Sequence, residues 1–292
     1  MANVHEIITN KIIELIEKNN SVPWKRPWAT ASMCPMNLIS RKKYTGINVF
    51  LLSAAGYDSP WWLSFKQIEK KGGTLPKGQK ASMAIFWKVW EKEERAANGE
   101  RVKKKIMLLR YYNVFNVLQT EGIKVPEVKT YEVSEVPNCE NIGTQMEVPI
   151  TIHHDSDRAY YSISTDAIHL PERKYFTSQE EYFSTRFHEM THSTGAKNRL
   201  NRKGLAEGIA KFGSPVYSLE ELCAEMGASF LCAETGIEMY TLTNSAAYIS
   251  GWLSALKNDS NLIVKAAGLA SKATNYIMGR KPETANEEDN ND

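Results

Sequence analysis

The chain has 292 residues, of which 42% are hydrophobic and 24% charged, and its formal net charge is +2, which is typical of a globular protein of one or two domains. It has no run of 18 apolar residues and no signal-peptide pattern, so we expect a cytoplasmic protein with no membrane segment. The four cysteines form no C-x-x-C pair, which gives no support to a disulfide framework or a zinc ribbon.

Charge and tryptophan are distributed unevenly along the chain. Residues 1–125 hold 21 Lys and Arg against 10 Asp and Glu, whereas the remainder holds 15 against 24. Six of the seven tryptophans also fall in the first 125 residues. We therefore predict a two-domain α+β protein, with a basic, aromatic-rich domain at 1–125 and an acidic domain at 150–281. Residues 126–149 are predicted to be a linker and residues 282–292 a disordered acidic tail.

The first half opens with an amphipathic helix at residues 4–16, where apolar residues recur at helical spacing. A short helix is expected at 60–66, and strands are expected at 84–90 and 107–117, joined by an arm or loop of alternating charge. We assign four aromatic residues of these strands to the core, because aromatics dominate small cores. They are Phe86, Trp90, Tyr112 and Phe115.

Between these elements, the first half repeatedly places cations beside flat rings, turns or glycines. Cations that follow a phosphate backbone, together with rings that stack on bases, are what single-strand binding requires. No recognition helix or finger motif of a duplex reader is present. The opposing interpretation is that the rings are core residues and the basic loops are ordinary solvated surface. The candidate DNA-binding residues are Trp24, Lys25, Arg26, Trp28, Arg41, Lys42, Lys43, Tyr44, Asn48, Lys71, Lys77, Lys80 and Arg110.

The second half carries an HExxH motif at residues 188–192. Ser178 and Glu181 form a capping-box pattern that starts a helix upstream, and Gly195 is a natural stop after it. On a helix, His188 and His192 share one face and can bind one metal ion. Glu189 would then lie beside the open coordination position and act as the general base.

A third protein ligand is expected from a second helix that begins near Ser218. We favour Glu225, because a carboxylate deep in a helix is seldom buried without a partner, and Glu221 is the alternative ligand or a supporting group. Zn is the default metal for two histidines and a glutamate, and Mn or another divalent ion is the alternative. Tyr248 is either an oxyanion donor or a core tyrosine.

Several ordered motifs resemble those of ArdC-type antirestriction proteins. They span residues 5–280 and lie at 23–28, 44–48, 62–67, 110–117, 187–195, 220–225 and 247–252. The resemblance implies a single-stranded DNA-binding domain followed by a zincin-like metallopeptidase domain of the gluzincin type. It also implies a protein of plasmids and other conjugative mobile elements that protects incoming DNA from host restriction. Under this resemblance, the peptidase motif falls on His188, Glu189 and His192, completed by Glu225 or Glu221.

Two hypotheses about function follow. In the first, the protein holds single-stranded DNA while its metal centre cleaves a host protein substrate. In the second, the protein shields DNA physically, and the metal site is structural or vestigial.

Overall fold

The structure is a computed structural model that describes residues 3–23, 34–95, 101–126, 137–203, 215–237 and 246–281. Its helices are α1 (Val4–Asn19), α2 (Ile47–Ser53), α3 (Phe65–Lys70), α4 (Pro137–Glu140), α5 (Gln179–Ser193), α6 (Pro215–Thr235), α7 (Ala246–Asn258) and α8 (Leu262–Ile277). Its strands are β1 (Met36–Asn37), β2 (Trp61–Leu63), β3 (Ser82–Arg95), β4 (Arg101–Asn116), β5 (Thr151–His153), β6 (Tyr160–Ser162) and β7 (Ala167–His169). No helix in these ranges is long and apolar enough to span a membrane.

The first half of the chain is built on a four-stranded sheet with the order β1-β2-β4-β3. The two predicted strands are confirmed, but they are longer than expected and form one hairpin, from the pair Ser82–Val114 to the pair Arg95–Arg101. Strand β2 pairs with β4 only near its end, at Phe115 and Asn116. The base of the hairpin packs against α1 and α2, where Ile85 and Leu109 are buried. Beyond these residues, the hairpin projects as a two-stranded ribbon. The helix expected at 60–66 is wrong in its start, since β2 occupies 61–63 and Ser64 caps α3.

The second half places helices against a three-stranded sheet with the order β5-β7-β6. Helix α6 packs against both α5 and α8. Its middle is buried between them and is mostly apolar, with Ala224, Met226 and Ala228 beside the buried carboxylate of Glu225. This arrangement gives α5 and α6 a shared interface, on which the candidate metal ligands lie.

The two halves share one hydrophobic core that joins α1 and α2 to α6, α7 and α8. The ring of Phe50 on α2 stacks on Phe230 of α6 at 5.1 Å between centroids. The Thr9 hydroxyl donates to the Ser260 carbonyl at 2.8 Å. The two-domain α+β class is confirmed, and the sequence did not indicate that the halves would pack so closely.

Part of the predicted linker belongs to the packed structure. Residues 127–136 lie outside the described ranges. By contrast, Cys139, Ile142 and Met146 are buried, and the Arg186 guanidinium donates to the Ile142 carbonyl at 3.3 Å. The linker prediction is wrong for 137–149, because its apolar residues recur every three or four positions and reach the core despite polar neighbours. The predicted tail, 282–292, also lies outside the described ranges.

Candidate metal centre

Helix α5 forms where the sequence predicts it and carries the HExxH motif in its last turns. The Ser178 hydroxyl caps it by accepting a hydrogen bond from the Glu181 backbone N–H at 3.1 Å. The Glu181 carboxylate accepts instead from the backbone and hydroxyl of Thr177, at 2.7 and 2.6 Å, so only half of the expected capping box is present. Phe187 and Met190 are buried and seat the helix in the core. The histidines are thereby fixed toward α6.

Three side chains converge at the α5–α6 interface at metal-binding distances. The Nε2 atoms of His188 and His192 are 3.1 Å apart. The Glu221 carboxylate lies 3.6 Å from each of them, through Oε2 to His188 and through Oε1 to His192. All three donor atoms lie within 4.8 Å of one another. Ligands about 2.0–2.2 Å from a tetrahedral metal are separated by roughly 3.4 Å, so this donor set fits one divalent ion with a position left open.

Glu225, which we expected to be the third ligand, is not part of this cluster. It is buried, and its carboxylate accepts a hydrogen bond from the Tyr248 hydroxyl at 2.6 Å. Glu221, the alternative, lies with the histidines instead. Tyr248 is half-buried, with its ring edge-on to Trp252, and so contacts a carboxylate rather than being a purely apolar core residue.

A close helix crossing decides which glutamate reaches the histidines. A Cβ atom added to Gly227 of α6 would lie 2.5 Å from Cγ2 of Thr191 and 2.6 Å from its Oγ1. Thr191 is fully buried between the two histidines on α5. Glycine at 227 is therefore required for α6 to approach α5 this closely. Glu221 lies more than one helical turn before Gly227 on α6, where its carboxylate meets His188 and His192.

A buried ion pair that sequence reasoning missed supports His192. Its Nδ1 lies 3.1 Å from Oε1 of Glu220, and Arg202 binds the same carboxylate through Nε at 2.9 Å. Burial raises the pKa of Glu220, but the hydrogen bonds from Arg202 and His192 outweigh it and hold the pKa at about 2. The Glu220 carboxylate occupies Nδ1 of His192 and leaves Nε2 for the metal, as is usual for metal-binding histidines.

The cluster has a strongly anionic environment. Burial lowers the pKa of His188, but the hydrogen bond with Glu221 and the charges of Glu189 and Glu225 outweigh it and raise the pKa to about 9. Glu189 is only 7% exposed, beside the two histidines on α5. A cation bound between the histidines and Glu221 would offset this concentration of negative charge.

The predicted DNA-binding residues fall into three groups. Trp24, Lys25, Arg26 and Trp28 lie outside the described residues. The exposed cations are Arg41, Lys42, Lys43, Lys71, Lys77, Lys80 and Arg110. Among them, the Arg41 guanidinium lies 4.8 Å from the Trp61 ring centroid, and the Lys43 ammonium lies 3.1 Å from Glu234.

The third group, Tyr44 and Asn48, does not face solvent as expected. Tyr44 packs among Leu52, Trp62 and Val114, and burial raises its pKa. The Asn48 amide binds the backbone of Ile85, accepting from its N–H at 2.7 Å and donating to its carbonyl at 2.9 Å. Both polar groups of Asn48 and the ring of Tyr44 are therefore engaged within the fold, which favours a structural role for these two residues.

Comparison with known proteins is consistent with the geometry of both halves. Residues 2–115 match the family model for the N-terminal domain of anti-restriction factor ArdC, and residues 138–269 match the model for a zincin-like metallopeptidase. The crystal structure of the antirestriction ArdC protein from the R388 plasmid is 33% identical, with a TM-score of 0.75. The match covers 95% of this chain and 97% of that one. The chain belongs to the ArdC antirestriction family.

Other relatives of this ArdC-family chain include longer proteins. A DNA primase TraC of Escherichia coli is 34% identical over 94% of this chain. The chain spans only 27% of that primase and 20% of a second TraC primase. The uncharacterised protein y4eC of Sinorhizobium fredii is 29% identical, and the match covers 98% of this chain and 95% of y4eC. The R388 ArdC protein also has an Mn(II)-bound crystal structure, and the match to a zincin-like metallopeptidase model points to a divalent metal.

Proposed function

We propose that this ArdC-family chain is an antirestriction protein of a mobile element that binds single-stranded DNA and carries an active metallopeptidase centre. The observation that carries the proposal is the convergence of His188, His192 and Glu221 on one point, with Glu189 buried beside it. The R388 plasmid origin of the ArdC relative supports the assignment to a mobile element.

The chemistry assigned to the centre is peptide hydrolysis. A divalent ion held there would lower the pKa of bound water and polarise the carbonyl of a substrate. Glu189 would accept the proton from that water and deliver it to the leaving amine. Glu220 and Arg202 would keep the His192 ring in the tautomer that exposes Nε2. Two imidazoles and a carboxylate favour Zn, with Mn as the alternative.

The DNA-binding role is assigned to the basic first half. Its exposed cations supply the charge that a phosphate backbone requires. Residues 23–28 add two tryptophans that flank a Lys-Arg pair, a composition suited to stacking on unpaired bases. We propose that DNA held there brings the metal centre close to a host protein that acts on incoming DNA.

A restriction-protection assay on matched variants tests the proposal. Glu189→Gln keeps the shape of the base and should bind metal normally, yet lose both cleavage of a protein substrate and protection. A Trp24→Ala/Trp28→Ala double variant should lose single-strand affinity and protection while keeping its metal. If Glu189→Gln protects as well as wild type, the peptidase role is wrong, and physical shielding with a structural or vestigial metal site accounts for protection.

A further inference from the structure

The projecting part of the β3–β4 ribbon exposes one aromatic residue, Trp90, that the sequence assigned to the core. Phe115, near the body of the sheet, is buried as expected, but Trp90 is 49% exposed. Trp90 pairs with Ile106, well beyond the last residue of β4 that pairs with β2, Phe115. The prediction that Trp90 is buried is therefore wrong, because this part of the hairpin extends past α1 and α2, which pack against its base.

One face of the ribbon alternates rings and cations. Phe86, Lys88 and Trp90 point to this face from β3, and Arg110 lies on it directly opposite Phe86. The half-buried Leu108 and Ile106 lie opposite Lys88 and Trp90. Residues two apart in a strand share a face, at intervals of about 6.6 Å. The Phe86 ring is half-buried and stands edge-on to Tyr112, at 5.7 Å between centroids. Lys88 and Arg110 are exposed. We call Phe86, Lys88, Trp90 and Arg110 the ribbon face.

The matching stretch of the opposite face has a different chemistry. It presents Trp87, Val89 and Met107, which are exposed and uncharged. The Trp87 ring lies 6.0 Å from that of His5 on α1. Two tryptophans of nearly equal exposure, 49% for Trp90 and 47% for Trp87, thus stand on opposite faces of one strand. Within residues 86–90 and 106–110, only the Trp90 face carries cations; the first cation on the Trp87 face is Lys105, opposite Glu91.

We propose that the ribbon face is a stacking platform for single-stranded DNA, an inference that rests on the proposed DNA-binding function. Unpaired bases stack on Trp90 and Phe86, while the phosphates between them lie near Lys88 and Arg110. Duplex DNA keeps its bases paired and stacked on one another, so it cannot use the rings in this way. An apolar protein partner would favour the opposite face, where Trp87, Val89 and Met107 are exposed side by side.

Fluorescence polarisation with a labelled oligothymidine at fixed salt tests this proposal. Trp90→Ala should weaken binding about 5- to 150-fold, the loss expected for one base stack. Trp87→Ala is the matched control, and its dissociation constant should stay within twofold of wild type. Lys88→Gln should reduce the slope of log affinity against log salt by about 0.7, because one phosphate contact to a single strand is lost. Circular dichroism establishes that each variant is folded.

The outcomes separate this inference from the function on which it rests. If wild type fails to bind the oligonucleotide, the proposed DNA-binding function itself is wrong. If wild type binds and Trp90→Ala binds equally well, only the ribbon-face proposal is overturned. Equal losses in Trp90→Ala and Trp87→Ala would also overturn it, since they would indicate a general effect on the ribbon. Duplex binding that weakens as much as single-strand binding would exclude base stacking.

Discussion

The closeness of α5 and α6 can be tested at Gly227, where one added methyl group meets a fully buried partner. In Gly227→Ala, the new Cβ would lie 2.5 Å from Cγ2 of Thr191, whereas ordinary contacts begin near 3.4 Å. The Thr191 side chain cannot turn away without cost, because its hydroxyl donates to the Phe187 carbonyl at 2.8 Å. One of the two helices must therefore shift by roughly 0.9 Å to restore an ordinary contact.

The size of the effect follows from two opposing contributions. Overpacking a well-packed core costs about 1–3 kcal/mol, whereas replacing glycine by alanine within a helix stabilises it by about 1 kcal/mol. We expect Gly227→Ala to lower the free energy of unfolding by up to about 2 kcal/mol. Gly268→Ala is the matched control: this glycine is exposed on α8, and an added Cβ meets nothing within 4 Å. It should gain about 0.5–1 kcal/mol.

Urea denaturation of the two variants measures this difference, and metal titration provides an independent readout. Because the crossing sets the distance from Glu221 to the histidines, Gly227→Ala should also weaken metal binding, whereas Gly268→Ala should not. Adding Thr191→Ala removes Cγ2 and Oγ1, and the double variant should be more stable than the sum of the single effects predicts. If Gly227→Ala is as stable as Gly268→Ala, the helix crossing does not depend on glycine at 227.

Three further predictions concern the support of His192, the Asn48 amide and an acid-sensitive ion pair. Glu220→Gln should weaken metal binding 10- to 100-fold in calorimetric titration. The control is Glu234→Gln, on the same helix but paired with Lys43 and Arg280. Equal metal affinities of the two variants would exclude a role for Glu220. Asn48→Ala should lower the free energy of unfolding by about 1–3 kcal/mol, since it leaves the Ile85 backbone without its partners. It should change the affinity for single-stranded DNA less than twofold. A large loss of affinity without loss of stability would restore Asn48 to the DNA-binding set. The third prediction concerns the carboxylate of Asp166. Burial raises its pKa, but the hydrogen bonds from Arg199, Tyr161 and Asn198 have the larger effect and hold the pKa below the ordinary 3.8. Its contribution to stability is present above the unfolded-state pKa and is lost as the pH falls through the folded-state pKa. Thermal unfolding between roughly pH 5 and pH 2 should therefore show a steeper loss for wild type than for Asp166→Asn, and parallel curves would contradict this reasoning.

Features that depend on neighbours in the chain could be predicted from the sequence. Helix α5, its Ser178 cap and the pairing of His188 with His192 follow from a helical period of 3.6 residues, which acts over four positions. The two long strands follow from local aromatic and β-branched composition. The family itself was predictable, because its motifs occur in a fixed order along the chain.

Features that depend on which elements meet could not be predicted in this way. Glu221 and Glu225 lie one turn apart on the same face of α6, so local periodicity does not separate them. The structure separates them by the crossing at Gly227 and by Tyr248 of α7, which binds Glu225. The contact between Arg202 and Glu220 joins residues 18 positions apart and has no periodic signal.

Burial of aromatic residues shows the same division. From sequence, Tyr44 resembled a ligand-facing ring and Trp90 a core ring, and the structure reverses both. The sequence determined that a helix and strands would form and that a metal-binding pair would stand on one helix face. The tertiary structure decided which carboxylate lies against the two histidines and which rings reach solvent, because both depend on distances between segments that are remote in the chain.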